Sequence, residues 1–192
     1  MELNRTEEAA ILHWTENTRG IQLVKKIIDE ECRQKLAQRY YRPYYQMLDI
    51  LFEKMAAKQP AGAQPISFID LHSMPASPTS YHLKINPQQK TNRANFCLSD
   101  LKGVSCNHQY ITSIADALNK KGYTIAINDP YFGGNITKYL HSLHDRFPLN
   151  VVQIEVNRSI YMNEDKRTFL DTSKITKVKN DLTETLISLF NR

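Results

Sequence analysis

The stretch NVVQIEVNR, at positions 150–158, restricts the fold more than any other part of the chain. A period of two puts Val152, Ile154 and Val156 on one face and Gln153, Glu155 and Asn157 on the other, as a β-strand requires. A strand this apolar needs cover on both sides of its sheet, which favours an α/β arrangement. A glutamate in its middle is costly to bury as an ion unless it is paired or used. Two readings fit Glu155: a general base beside a metal-bound water, tuned by burial, or an ion pair at a sheet edge, with Arg158 or another partner.

Ile66–His72 reads as a second strand, with Ile66, Phe68, Asp70 and His72 on one face and Ser67, Ile69 and Leu71 on the other. ANFCLSDL and YTIAIN (123–128) read as two more. Asn107 is placed to cap a helix whose core face is Ile111, Ile114, Ala115 and Leu118, and Gly122 ends it. Residues 29–58 have helical spacing, with Pro43 expected to kink or divide the helix. Residues 136–144 read as a short helix, and Ile175, Val178, Leu182, Leu186 and Leu189 line a last one opening at Thr172 or Ser173. Residues 73–92 carry three prolines and read as a long surface loop.

Strands alternating with helices predict an α/β fold and one domain over residues 1–192. The strands at 66–72, 123–128 and 150–157 are expected in one sheet, with the helices at about 107–121 and 173–190 packed on it. Ligands in such sheets bind beyond the carboxyl ends of the strands. If these strands are parallel neighbours, Asp70, His72 and Ser73 gather at one edge with Asn128, Asp129, Glu155, Asn157 and Arg158.

At the end of its strand, His72 suits a zinc ligand whose tautomer a nearby carboxylate fixes, or a hydrogen-bonded structural histidine. The loop NDPYFGGN sets Tyr131 and Phe132 before Gly133 and Gly134. The glycines permit close backbone approach to a ligand, or a simple turn, and no phosphate-loop Lys follows them. His13 and Glu16 have the H-x-x-E spacing of two zinc ligands, a spacing frequent by chance, and their segment shows no firm helix or strand. They are set aside, and His82, His108, His141 and His144 read as surface or structural.

Composition narrows the partners. The 25 Lys and Arg are scattered among 20 acids, so the net charge of +5 describes a solvated surface and gives no nucleic-acid patch. Cys32, Cys97 and Cys106 lack CxxC spacing, which predicts reduced thiols and a cytoplasmic protein. No apolar stretch approaches membrane-spanning length, so no membrane partner is expected.

Several segments together resemble the N-formylglutamate amidohydrolases, also called N-formylglutamate deformylases. They are ELNR (2–5), YYRPYYQML (40–48), IDLHSMP (69–75), LKGVSC (101–106), NDPYFGGNIT (128–137) and VVQIEVNRSIYMNE (151–164). DLHSMP and QIEVNRSIYMNE are the specific pieces, and the order holds from end to end. The resemblance implies a three-layer α/β/α fold with a mixed, mostly parallel sheet, like that of zinc carboxypeptidases. It implies zinc as cofactor, His72 as a ligand, and Glu155 as the group that activates the metal-bound water. Asn4 and Arg5 match a pair that holds the substrate's carboxylate. Asn128, Tyr131, Gly133, Gly134 and Arg158 join them as substrate-binding candidates. The implied reaction cleaves a small acidic N-acyl amino acid, such as N-formylglutamate, to formate and glutamate, a step of histidine degradation.

The resemblance also implies differences. Relatives carry an early histidine and a carboxylate, the other zinc ligands, ahead of the Asn-Arg pair, and Tyr45 stands where many have histidine. The chain is therefore expected to be the C-terminal two-thirds of the family domain and, alone, a poor zinc enzyme. The alternative is a relative that keeps the fold and binds small acids or a partner without catalysis. On either reading His72 and Glu155 should share a cleft, with Arg5 facing it and Asn128, Gly133 and Gly134 on its rim.

Overall fold

The computed structural model describes residues 3–12, 28–166, 168–169 and 171–190. Three helices come first: α1 (Glu7–Leu12), α2 (Glu30–Leu36) and α3 (Arg42–Ala56). One π-helical turn, Ala37–Tyr41, joins the last two without a break, and Pro43, which has no N–H to give, follows it in the first turn of α3. The kink or division expected at Pro43 takes the form of this π turn, with helical backbone continuous from α2 into α3. The segment containing His13 and Glu16 lies outside the described residues.

The sheet is built from β1 (Ile66–Met74), β2 (Phe96–Ser99), β3 (Ile125–Ile127) and β4 (Leu149–Asn157). Their order is β1-β4-β2-β3, so the expected three strands share one sheet. β1 pairs parallel with β4 and β2 parallel with β3, while β2 runs antiparallel to β4. The sheet is therefore mixed and mostly parallel. Two short strands, β5 (Met162–Asn163) and β6 (Thr168–Phe169), form a separate ribbon.

Helices cover both faces. On one, Phe52 of α3 and Leu140 of α6 (Asn135–Ser142) pack with Ile66 and Val151. On the other, Ile114 and Leu118 of α5 (His108–Lys120) and Leu182 of α7 (Thr172–Phe190) pack with Leu98, Val152 and Ile154. Tyr123 also donates a 2.7 Å hydrogen bond to Asp181, tying α7 to the strand end. The alternation read in residues 151–156 is the alternation between these two cores. No helix among the described residues is long and apolar enough to cross a membrane.

Residues 73–92 depart from the expected loop by holding α4 (Ser80–Ile85). Its start is a capping box in which Thr79 and His82 each satisfy the other's backbone N–H. Histidine in place of the usual Glu or Gln hid that signal in the sequence.

Candidate active site

Near the carboxyl ends of β1 and β4, the face covered by α3 and α6 changes from apolar to polar. The register sets Asp70 beside Gln153 and His72 beside Glu155. Neighbouring strands lie about 4.8 Å apart, so these side chains project side by side. Asp70, Gln153 and Glu155 are buried, and His72 keeps 30% of its side chain exposed. Above them opens a cavity of about 380 Å³ lined by Asn4, Arg5, His72, Tyr131, Gly133, Gly134 and Glu155, among others.

The N-terminal segment is held over this row by two tyrosines. Tyr45 donates to the Leu3 carbonyl at 2.6 Å and Tyr41 to the Arg5 carbonyl at 2.8 Å. Asn135 in turn donates to both hydroxyl oxygens. Residues 41 and 45 are one helical turn apart, which is why both rings reach the same strip of chain. Sequence reasoning missed this clamp, since its partner lies far away along the chain.

Asn4 is oriented by the start of α6. The N-cap of that helix is Gly134, which has no side chain to offer, and the Asn4 Oδ1 takes its place by accepting from the Ile136 N–H at 2.8 Å. This turns the Asn4 amide N–H groups toward His72 Nε2 at 3.1 Å and Gln153 Oε1 at 3.4 Å. A Cβ at Gly134 would fall on the Asn4 carboxamide. Gly133 has φ of 120°, and a Cβ there would lie 2.7 Å from Leu101 Cδ2. The close approach these glycines permit is thus first of all to Asn4 and Leu101.

The Gln153 Oε1 also accepts from the Gly134 N–H at 2.7 Å, so its amide N–H points to Glu155 Oε1 at 2.9 Å. Burial pushes the Glu155 carboxyl up, and the nearby His72 and the Gln153 bond offset only part of that. The result is a carboxyl raised above its ordinary range, suited to taking and returning a proton. Across β2, Cys97 is the register partner of Glu155, and burial pushes its thiol up as well.

Two of the substrate-binding candidates, Asn128 and Arg158, are not brought to the cavity. β2 and β3 run opposite to β4, so Asn128 follows a strand end that points away from the carboxyl ends of β1 and β4. Its side chain instead pins a turn, accepting from the Asp100 and Lys102 N–H groups and donating to Asp100. Arg158 pairs with Glu164 at 2.7 Å, so Glu164, and not Glu155, takes the ion pair considered above.

Among the described residues the donor set for a metal is incomplete. His72 Nε2 lies 2.8 Å from Asp70 Oδ1, and the other Asp70 oxygen is buried without a hydrogen-bond partner. That orphaned oxygen suits a cation, but catalytic zinc takes about three protein ligands. No group of three such ligands occurs among the described residues, so these residues do not by themselves hold zinc. A second cavity, of about 320 Å³ between Gln64, Ser67, Asn107 and Tyr110, has no carboxylate, imidazole or cation in its lining and lacks the groups for acid–base chemistry.

The sequence model of the N-formylglutamate amidohydrolase family matches residues 3–162. The crystal structure of N-formylglutamate amidohydrolase from Ralstonia eutropha JMP134 is 30% identical, with a TM-score of 0.69 over 88% of this chain. This chain spans 56% of that one. The gene product Atu2144 from Agrobacterium tumefaciens has the fold at 15% identity and a TM-score of 0.54, covering 97% of this chain and 66% of that protein. Among curated proteins none matches significantly.

Proposed function

This chain belongs to the N-formylglutamate amidohydrolase family, and from that premise we propose that its cavity serves hydrolysis of a small acidic N-acyl amino acid, N-formylglutamate first. The observation that carries the reading is the pairing of His72 with Glu155 in one cavity that Arg5 also lines. Arg5 is the anchor for the substrate carboxylate, its planar guanidinium matching two carboxylate oxygens. Asn4 supports it by fixing the strip of chain on which Arg5 stands and by holding His72. Glu155 takes a proton from water as the water adds to the acyl carbon. It returns that proton to the nitrogen as the C–N bond breaks, giving the acyl acid and the free amino acid.

Zinc belongs to this reading as an expectation at His72, and no step above runs through it. The second reading, a relative that binds small acids without turning them over, rests on the donor set being incomplete among the described residues.

One preparation tests both. Calorimetric titration with N-formylglutamate should show binding, and Arg5→Ala should weaken it about 10- to 100-fold, the range of a charge-assisted hydrogen-bond pair. Equal affinity in the variant would remove Arg5 as the anchor. Zinc retained after chelator and gel filtration should be substoichiometric, and formate release slow. One tightly held zinc per chain with brisk turnover would reject the second reading and direct the search for ligands to His13 and Glu16.

A further inference from the structure

On the side of the cavity facing α4, three residues other than His72 and Glu155 are bonded in a fixed sense. Arg93 Nη1 donates to the Tyr131 hydroxyl oxygen at 3.2 Å, and its guanidinium lies 5.3 Å from the ring centroid. Arg93 is itself held by the Pro75 carbonyl and by Gln89 Oε1. His82 Nε2 lies 3.1 Å from the same hydroxyl. The direction of this second contact follows from the other ring nitrogen. In the capping box of α4 the Thr79 backbone N–H points at His82 Nδ1 from 3.1 Å, and a backbone N–H can only donate. Nδ1 is therefore an acceptor, the ring is neutral, and its proton sits on Nε2. The Tyr131 oxygen then receives two donors, and its own proton has no acceptor among the described residues.

We propose that Tyr131, aimed by Arg93 and His82, donates this free proton as a hydrogen bond to the acyl oxygen of the bound substrate and to the oxyanion that forms there. This deepens the reading of the cavity as an amide-hydrolysing site and rests on it. The acyl oxygen is the acceptor of choice because Tyr131 is moored beside the proton-transfer group. Its carbonyl accepts from Ser99 Oγ at 2.8 Å and from Cys97 Sγ at 3.4 Å, and Cys97 is the register partner of Glu155. Tyr131 and Glu155 also line the same cavity, so a scissile amide within reach of Glu155 is offered to the phenol. Burial keeps the hydroxyl protonated, with the Glu155 charge adding to that effect against the pull of Arg93. When water adds to the acyl carbon, the C=O π pair moves onto the oxygen and the phenol bonds that developing charge. No proton leaves Tyr131. Arg93 and His82 are positioning residues.

The test compares N-formylglutamate, which has the acyl oxygen, with glutamate, which lacks it, by calorimetric titration of the full chain. Tyr131→Phe should weaken N-formylglutamate about 3- to 10-fold, as loss of one neutral hydrogen bond does, and leave glutamate unchanged. Equal weakening of both would assign the hydroxyl to a carboxylate and overturn the proposal. No change for either would overturn it too, while the function stands if Arg5→Ala still loses binding. If the unaltered chain binds neither compound, the functional reading falls and takes this inference with it. A ¹⁵N spectrum of His82 reads the aiming directly. The Nε2–H tautomer is expected, and an Nδ1–H tautomer would reverse the bond to Tyr131 and overturn the mechanism.

Discussion

Gly134→Ala is expected to empty the cavity of its N-terminal wall while the sheet stays folded. The new methyl group falls on the Asn4 carboxamide, which must swing away. Asn4 then loses the Ile136 N–H, His72 and Gln153 together, and Arg5 moves with it. Those losses amount to about 2 kcal/mol, or a fall of about 4–8 °C in Tm for a chain of this size. Binding of N-formylglutamate should fall below detection by calorimetry. The collision also predicts non-additivity. Asn4→Gly removes the colliding group, so the double variant should be no less stable than Asn4→Gly alone. Additive costs, or unchanged binding, would show that Gly134 does not set the position of Asn4.

Glu155→Gln should be the most damaging change to turnover. The glutamine carbonyl still accepts from Gln153, so the buried network is kept and Tm should move little. What is lost is the group that moves the proton, a contribution of about 100- to 10,000-fold. Formate release should drop by that factor with substrate affinity within about 2-fold, since a general base contributes to the transition state far more than to substrate binding. Turnover within 10-fold of the unaltered chain would take Glu155 out of the chemistry.

The sheet and its two cores were legible because a period of two sorts side chains to faces whatever the strand direction. That is how the pattern put Asp70 and His72 on one face of β1 and Gln153 and Glu155 on one face of β4. Direction is another matter. Nothing in YTIAIN says that β3 runs against β4, and the gathering of strand ends therefore held for His72 and Glu155 but not for Asn128. Asn128 adopts φ of 56° at a turn, a conformation that its short polar side chain tolerates, and holds Asp100 there. Gln153 was visible as a member of the polar face, yet its task of aiming an amide at Glu155 depends on the Gly134 N–H, a tertiary contact. The same holds for Tyr41, Tyr45 and His82, whose partners are brought to them only by the folded chain.

We propose above all that the cavity over His72 and Glu155 receives a small acidic N-acyl amino acid. Titration of the ¹⁵N-labelled chain with N-formylglutamate, followed by amide and side-chain shifts, tests it most directly. Saturable shifts are expected at Arg5, Gly133, Gly134, Tyr131 and the His72 ring. Shifts confined to the second cavity around Asn107 and Tyr110, or none at saturating ligand, would contradict it.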